Sequence, residues 1–143
     1  MTANREDEKM YKLVLSSEVE NVEKVEELTE RITKGMKFSE DERDSIAIAV
    51  TEAVNNAIIH GNKLDQSKRV HLSISVVNKT LTVIVKDEGT GFNPEKLPDP
   101  LDPENLLKES GRGIFILKSL MDDVIYDFSD KGTVLTLIKH KSD

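Results

Sequence analysis

Cysteine is absent from this sequence. Disulfide frameworks, thiolate nucleophiles and Cys-ligated metal centres are therefore excluded. Tryptophan is absent too, and aromatic residues make up only 4%, so a core must be built mainly from Val, Ile and Leu. Basic residues are the minority charge: 20 Lys plus Arg stand against 27 Asp plus Glu, a formal charge of −7. A nucleic-acid binder normally needs a basic face, so no direct nucleic-acid partner is expected. An anionic ligand would need a cation or backbone N–H groups at its site. No apolar run approaches the length of a membrane span, and the polar start Met1-Thr2-Ala3-Asn4-Arg5-Glu6 does not read as a signal peptide. The expectation is a cytoplasmic protein with no membrane partner.

What is present fits one domain of 143 residues, with room for one substantial core. Residues 1–9 read as a flexible charged leader. Tyr11, Leu13 and Leu15 then alternate as a short strand. Ser17 and Glu20 have capping-box spacing, followed by Val19, Val22, Val25, Leu28 and Ile32 at helical intervals, with Gly35 as the stop. A second capping pair, Ser39 and Glu42, opens the next helix, and Gly61 is placed to end it. Val70, Leu72, Ile74 and Val76, then Leu81, Val83 and Val85, alternate as two strands joined by a hairpin around Asn78-Lys79. An irregular segment with four prolines runs through residues 93–110; long loops of this kind tend to be lids or binding loops. Ile114, Leu117, Leu120 and Met121 mark another helix, and Val124-Tyr126-Phe128 and residues 133–138 mark two last strands. The short hairpins require a mixed or antiparallel sheet, and one buried face per strand calls for helices on one side. The fold class is α+β, a two-layer sandwich.

Three polar stretches carry chemistry. On the second helix, Ile46, Val50, Ala53, Val54, Ala57 and Ile58 form an apolar stripe, while Glu52, Asn56 and His60 step by four along one face. That face is either the outside of an amphipathic helix or the floor of a pocket. Asp87-Glu88-Gly89-Thr90-Gly91 is either a tight turn or a place where backbone meets a flat ligand and a buried Asp accepts a bond from an amino group. Gly111-Arg112-Gly113 is either a hinge or an anion cradle at a helix N-terminus. Together, in this order, they are far more specific than any one alone.

At this point the sequence resembles a known superfamily. Residues Glu52 to Gly61 look like the N box of the Bergerat-fold (GHKL) ATP-binding proteins, which include DNA gyrase, histidine kinases and the MutL mismatch-repair protein. Asp87 to Gly91 matches the first glycine box, Ser110 to Ile114 the second, and Gly132-Thr133 the closing Thr motif. Within the superfamily the sequence is most similar to the anti-sigma-factor serine/threonine kinases of the RsbW and SpoIIAB type, from about residue 10 onward. The resemblance implies a Bergerat-type sandwich with a mixed β-sheet, an ATP lid over residues 93–110, and ATP with Mg²⁺ as cofactors. It implies that Asn56 helps hold Mg²⁺ against the phosphates, a role compatible with an ion that takes few protein ligands. Asp87 would accept the adenine amino group, Gly89 and Gly91 would let the ring in, and Thr133 would close the adenine pocket. Gly111, Arg112 and Gly113 would receive the phosphates. Glu52, one turn before Asn56, would be the general base.

One departure stands out. Sporulation-type relatives place an Arg before the Ser of the second glycine box, where this chain has Glu109. Arg112 or Lys108 could replace it at the γ-phosphate. Asn55 lies about 100° around the helix from Asn56. His60 reads as a cation near the helix C-terminus, and Glu88 as solvated. By resemblance the partners would be a STAS-domain anti-anti-sigma protein, a sigma factor and a second copy of the chain. Two rivals remain: a non-catalytic ATP-dependent binding switch, and a detached histidine-kinase catalytic domain. If residues 93–110 form a nucleotide lid, limited proteolysis of this segment is expected to slow when ATP and Mg²⁺ are added. Equal cutting with and without nucleotide would remove the lid.

Overall fold

Alternating apolar residues and two helices with one buried side each assemble into two layers. The computed structural model describes residues 8–89, 116–129 and 131–142. Strand β1 (Glu8–Ser16) takes in the last two residues of the expected leader. Helices α1 (Val22–Gly35) and α2 (Glu40–Asn56) follow, then β2 (Arg69–Val77), β3 (Thr80–Lys86), β4 (Asp123–Ser129) and β5 (Gly132–His140). The five strands form one sheet in the order β1-β2-β3-β5-β4. All four pairings are antiparallel. The sheet is therefore antiparallel rather than mixed among the described residues: no strand is joined to its sheet neighbour by a crossover that keeps direction.

The strand face beneath the helices carries Leu15, Val70, Leu72, Ile74, Leu81, Val83, Val85, Leu135 and Leu137, all buried. Against it pack Val25 and Ile32 of α1 and all six residues of the α2 stripe, Ile46, Val50, Ala53, Val54, Ala57 and Ile58. Each Val, Leu or Ile side chain among them contributes about 1.5–3 kcal/mol on leaving water. Leu117 and Met121, at and just beyond a helical stretch over residues 116–120, are buried in the same core. The opposite sheet face alternates Ser, Thr, Ile and Val and is only partly covered, as the period-two pattern requires.

Two local expectations change. Ser17 does not cap α1. Its hydroxyl donates to the Lys68 carbonyl at 2.7 Å, so a tertiary contact takes the group that the local cap needed. A 3₁₀ turn over Val19–Asn21 leads into α1 instead, and Val19 is exposed while Thr29 and Thr33 join the buried side. Gly35 remains helical, and the left-handed residue that ends the helix is Lys37, at φ 62°.

The second capping box forms as expected. The Glu42 amide donates to the Ser39 hydroxyl at 3.1 Å, and the Ser39 amide donates to the Glu42 carboxylate at 3.2 Å. Ser39→Ala is expected to lower stability by about 1 kcal/mol, read from the midpoint of urea unfolding. An unchanged midpoint would mean that the tertiary packing of α2 alone sets its start.

Candidate functional site

The apolar stripe of α2 lies against the sheet, and this fixes where its polar side goes. Glu52 and Asn56 come out half-buried on the helix flank, one turn apart. Beyond Asn56 the helix continues as a π turn over Ala57–Gly61. Its wider bonding is visible in the Asn62 amide donating to the Ala57 carbonyl at 2.8 Å. Such turns insert one extra residue and often mark functional positions. Gly61, expected only as a stop, ends this turn in direct contact with Asp87, and a Cβ placed on it would collide with that carboxylate.

Asp87 follows β3 and is buried at 5% exposure. Its Oδ1 accepts from the Gly89 amide at 3.0 Å and from the Thr133 amide at 3.1 Å. Its own amide donates to the Thr133 carbonyl at 3.1 Å. Gly132, at φ 134°, holds a conformation that side chains rarely adopt, and a Cβ there would strike the Asp87 carbonyl. Gly89 in turn packs on the Gly61 carbonyl. The carboxylate is thus walled by backbone from three separate segments. Burial pushes its pKa up from the ordinary 3.8, and the Gly89 and Thr133 amides only partly oppose this.

Thr133 is itself buried, and its hydroxyl oxygen has no hydrogen-bond partner among the described residues. A buried unpaired hydroxyl beside a buried carboxylate calls for a polar ligand edge. An adenine ring fits this donor set: an amino group for Asp87, ring atoms for the Thr133 hydroxyl, and backbone without side chains for the flat face. Asn56 supplies an amide oxygen suited to Mg²⁺, whose shell is completed by phosphate and water. Only four residues separate Asn56 from Gly61, and Gly61 touches Asp87, so Asn56 and Asp87 lie on the same side of the molecule.

Glu52 faces Tyr126 of β4. Burial first, and the Glu52 charge second, push the Tyr126 hydroxyl pKa up. Glu88 is half-exposed and pairs with His71 at 2.7 Å, which holds its pKa down; it is partnered rather than simply solvated. His60 lies within the π turn rather than in a regular last helical turn. The Asn55 side-chain carbonyl oxygen is buried without a partner among the described residues. Gly91, Gly111, Arg112, Gly113, Lys108 and the expected lid over 93–110 lie outside the described residues. Sequence reasoning missed Asn62, whose buried amide reaches three strand ends. Its only local cue is that it directly follows Gly61.

A helix-on-antiparallel-sheet sandwich with a buried Asp between glycines at one end, and a Glu/Asn pair on the adjoining helix, defines a histidine-kinase-like ATP-binding domain. The histidine kinase-like ATPase domain family matches residues 15–139. The anti-sigma F factor of Anoxybacillus flavithermus is 41% identical over 105 residues, 70% of this chain and 70% of that protein. The Bacillus subtilis anti-sigma F factor is 38% identical over 107 residues, 71% of this chain and 72% of that protein. The chain belongs to the histidine kinase-like ATPase domain family, in the branch that holds these anti-sigma F factors. Two solved structures share the fold. The RsbU and RsbW domains of a Mycobacterium tuberculosis protein superpose with a TM-score of 0.70 at 15% identity, over 94% of this chain and 33% of that one. The histidine kinase domain of the Erythrobacter litoralis EL346 blue-light activated histidine kinase gives 0.52 at 22% identity, over 71% of this chain and 45% of that one. Among the described residues no helix is long and apolar enough to cross a membrane.

The raised pKa of Asp87 has a definite sign. The folded state binds more protons than the unfolded one between 3.8 and the raised value, so stability is lost as pH climbs through that window. Asp87→Asn is therefore expected to melt at least as high as the wild type at pH 7 without nucleotide. It should also lose the roughly 2.7 kcal/mol gained by the wild type at ATP a hundredfold above Kd. An Asn variant that still responds to ATP like the wild type in a thermal-shift assay would remove the adenine assignment.

Proposed function

We propose that this chain is an ATP- and Mg²⁺-dependent protein serine/threonine kinase that acts as an anti-sigma factor in a partner-switching pathway. Its substrate is a Ser or Thr of a STAS-domain anti-anti-sigma protein, and its second partner is a sigma factor. A cytoplasmic location follows from that role, and a second copy of the chain is a further partner carried by the same family likeness.

The observation that carries the reading is the continuity from Glu52 through Asn56 and the π turn to Asp87. One end suits adenine, the middle suits the phosphates, and Glu52 lies one turn beyond Asn56. In the proposed reaction the Glu52 carboxylate accepts the proton of the substrate hydroxyl. That oxygen bonds to the γ-phosphorus as the bond to the ADP leaving oxygen breaks. Asn56 would hold the Mg²⁺, which neutralises phosphate charge when bound. Gly111, Arg112 and Gly113 are assigned to the phosphates, Gly91 to the ring edge, and Arg112 or Lys108 to the γ-phosphate. The names of the curated relatives support the anti-sigma role.

A non-catalytic binding switch needs the adenine and phosphate contacts but no base, so Glu52 separates the two. Glu52→Ala is expected to keep its ATP-dependent thermal shift. Phosphate transfer to STAS proteins, followed with labelled ATP, should fall by about 10²–10⁴, the usual contribution of a positioned base. Transfer at the wild-type rate would leave Glu52 without a catalytic role. No transfer by the wild type to any STAS partner would favour the switch.

A further inference from the structure

Asn62 is 1% exposed and has no place in the chemistry described above. Its side-chain N–H groups donate to the Ser17 hydroxyl at 2.9 Å and to the Arg69 carbonyl at 3.0 Å. Its Oδ1 accepts from the Glu88 amide at 2.8 Å. The amide orientation is unambiguous, because the carbonyl must receive a donor and the Glu88 amide must meet an acceptor. One side chain thus joins the end of β1, the start of β2 and the turn that carries Asp87. The backbone of the same residue is fixed by the π-type bond from its amide to the Ala57 carbonyl at 2.8 Å. Ala57 directly follows Asn56. Ser17 completes the set through the Lys68 carbonyl at 2.7 Å.

We propose that Asn62 is a positioning residue for nucleotide recognition, which fixes the Asp87–Gly89 turn against the end of α2 and thereby sets discrimination for the adenine amino group. The proposal rests on the assignment of Asp87 to adenine. The extra residue of the π turn is what makes it work. In a regular helix, one residue fewer in the turn would rotate Asn62 by about 100°, away from the strand ends. Held as it is, the Glu88 amide cannot swing, and the adjoining Asp87 carboxylate keeps the direction set by the Gly89 and Thr133 amides. The carboxylate is then preorganised before any ligand arrives, which lowers the cost of ordering on binding.

The test compares ATP with inosine triphosphate, which carries a carbonyl where adenine has its amino group. Dissociation constants for both, with Mg²⁺, are measured on the full chain and on Asn62→Ala, together with melting temperatures. The expected result is a drop of roughly fivefold or more in the ATP preference of Asn62→Ala, the scale of one hydrogen bond. A folded Asn62→Ala that binds both nucleotides more weakly but in the wild-type ratio would overturn the positioning role and leave Asn62 as a stabilising staple. A wild type with no preference for ATP would overturn the adenine assignment itself, and this proposal with it. A second measurement does not depend on the variant folding. In the nucleotide-free wild type, hydrogen exchange at the Glu88 amide is expected to be as slow as at the core amides of β2 and β3. Fast exchange that slows only when ATP is added would show a turn ordered by its ligand, and would also overturn the proposal.

Discussion

A carboxylate held out of water by backbone alone sets the terms for this structure. Asp87 is buried, its Oδ1 is met by two amides, and its surroundings are glycine. The amides of Gly89 and Thr133, with the Lys68 charge after them, stabilise the carboxylate only in part, and burial wins in the direction of its pKa. A site of this kind requires three chain segments to meet with no Cβ between them. The antiparallel register delivers two of them, since Lys86 pairs with Val134 and the next step brings Asp87 beside Thr133. The π turn delivers the third by carrying Gly61 onto the carboxylate.

The sheet and the helix α2 were legible in the sequence because they depend on period. Residues such as Val70, Leu72, Ile74 and Val76 have one face to bury, and a slip of one residue would expose all of them. The capping box of Ser39 and Glu42 was legible for a similar reason: both of its bonds lie within four residues. Ser17 and Glu20 have the same spacing, yet no box forms there. The hydroxyl of Ser17 has a better use 51 residues away, on the Lys68 carbonyl, and spacing carries no information about such a partner. The mixed sheet expected from the family likeness became antiparallel for an equally nonlocal reason. Strand direction is settled by which neighbours pair, and β3 pairs with β5 rather than with β4.

The candidate site divides along the same line. Glu52 and Asn56 were readable as one helix face, and Asp87 and Gly89 as a turn with a possible buried acceptor. Their meeting was implied only by likeness to a family, since no period or spacing joins residue 56 to residue 87. The structure supplies the join at Gly61, where the sequence suggested a helix stop and the coordinates show a contact surface. Asn62 was invisible for the opposite reason: an Asn after a Gly is ordinary turn chemistry, and nothing in it announces a buried amide with three bonds.

The site is also where the chain departs from its most stable arrangement. A buried carboxylate with a raised pKa, a Thr133 hydroxyl without a partner among the described residues and a helix ending in a π turn each carry a cost. Val, Ile and Leu fill most of the core, and of these features only the π turn contributes to it, through Ala57 and Ile58. A ligand edge that donates to Asp87 and engages Thr133 removes two of the three penalties together. That selects for a ligand with polar groups at those two points, which a purine with an exocyclic amino group provides and a purely apolar ring does not.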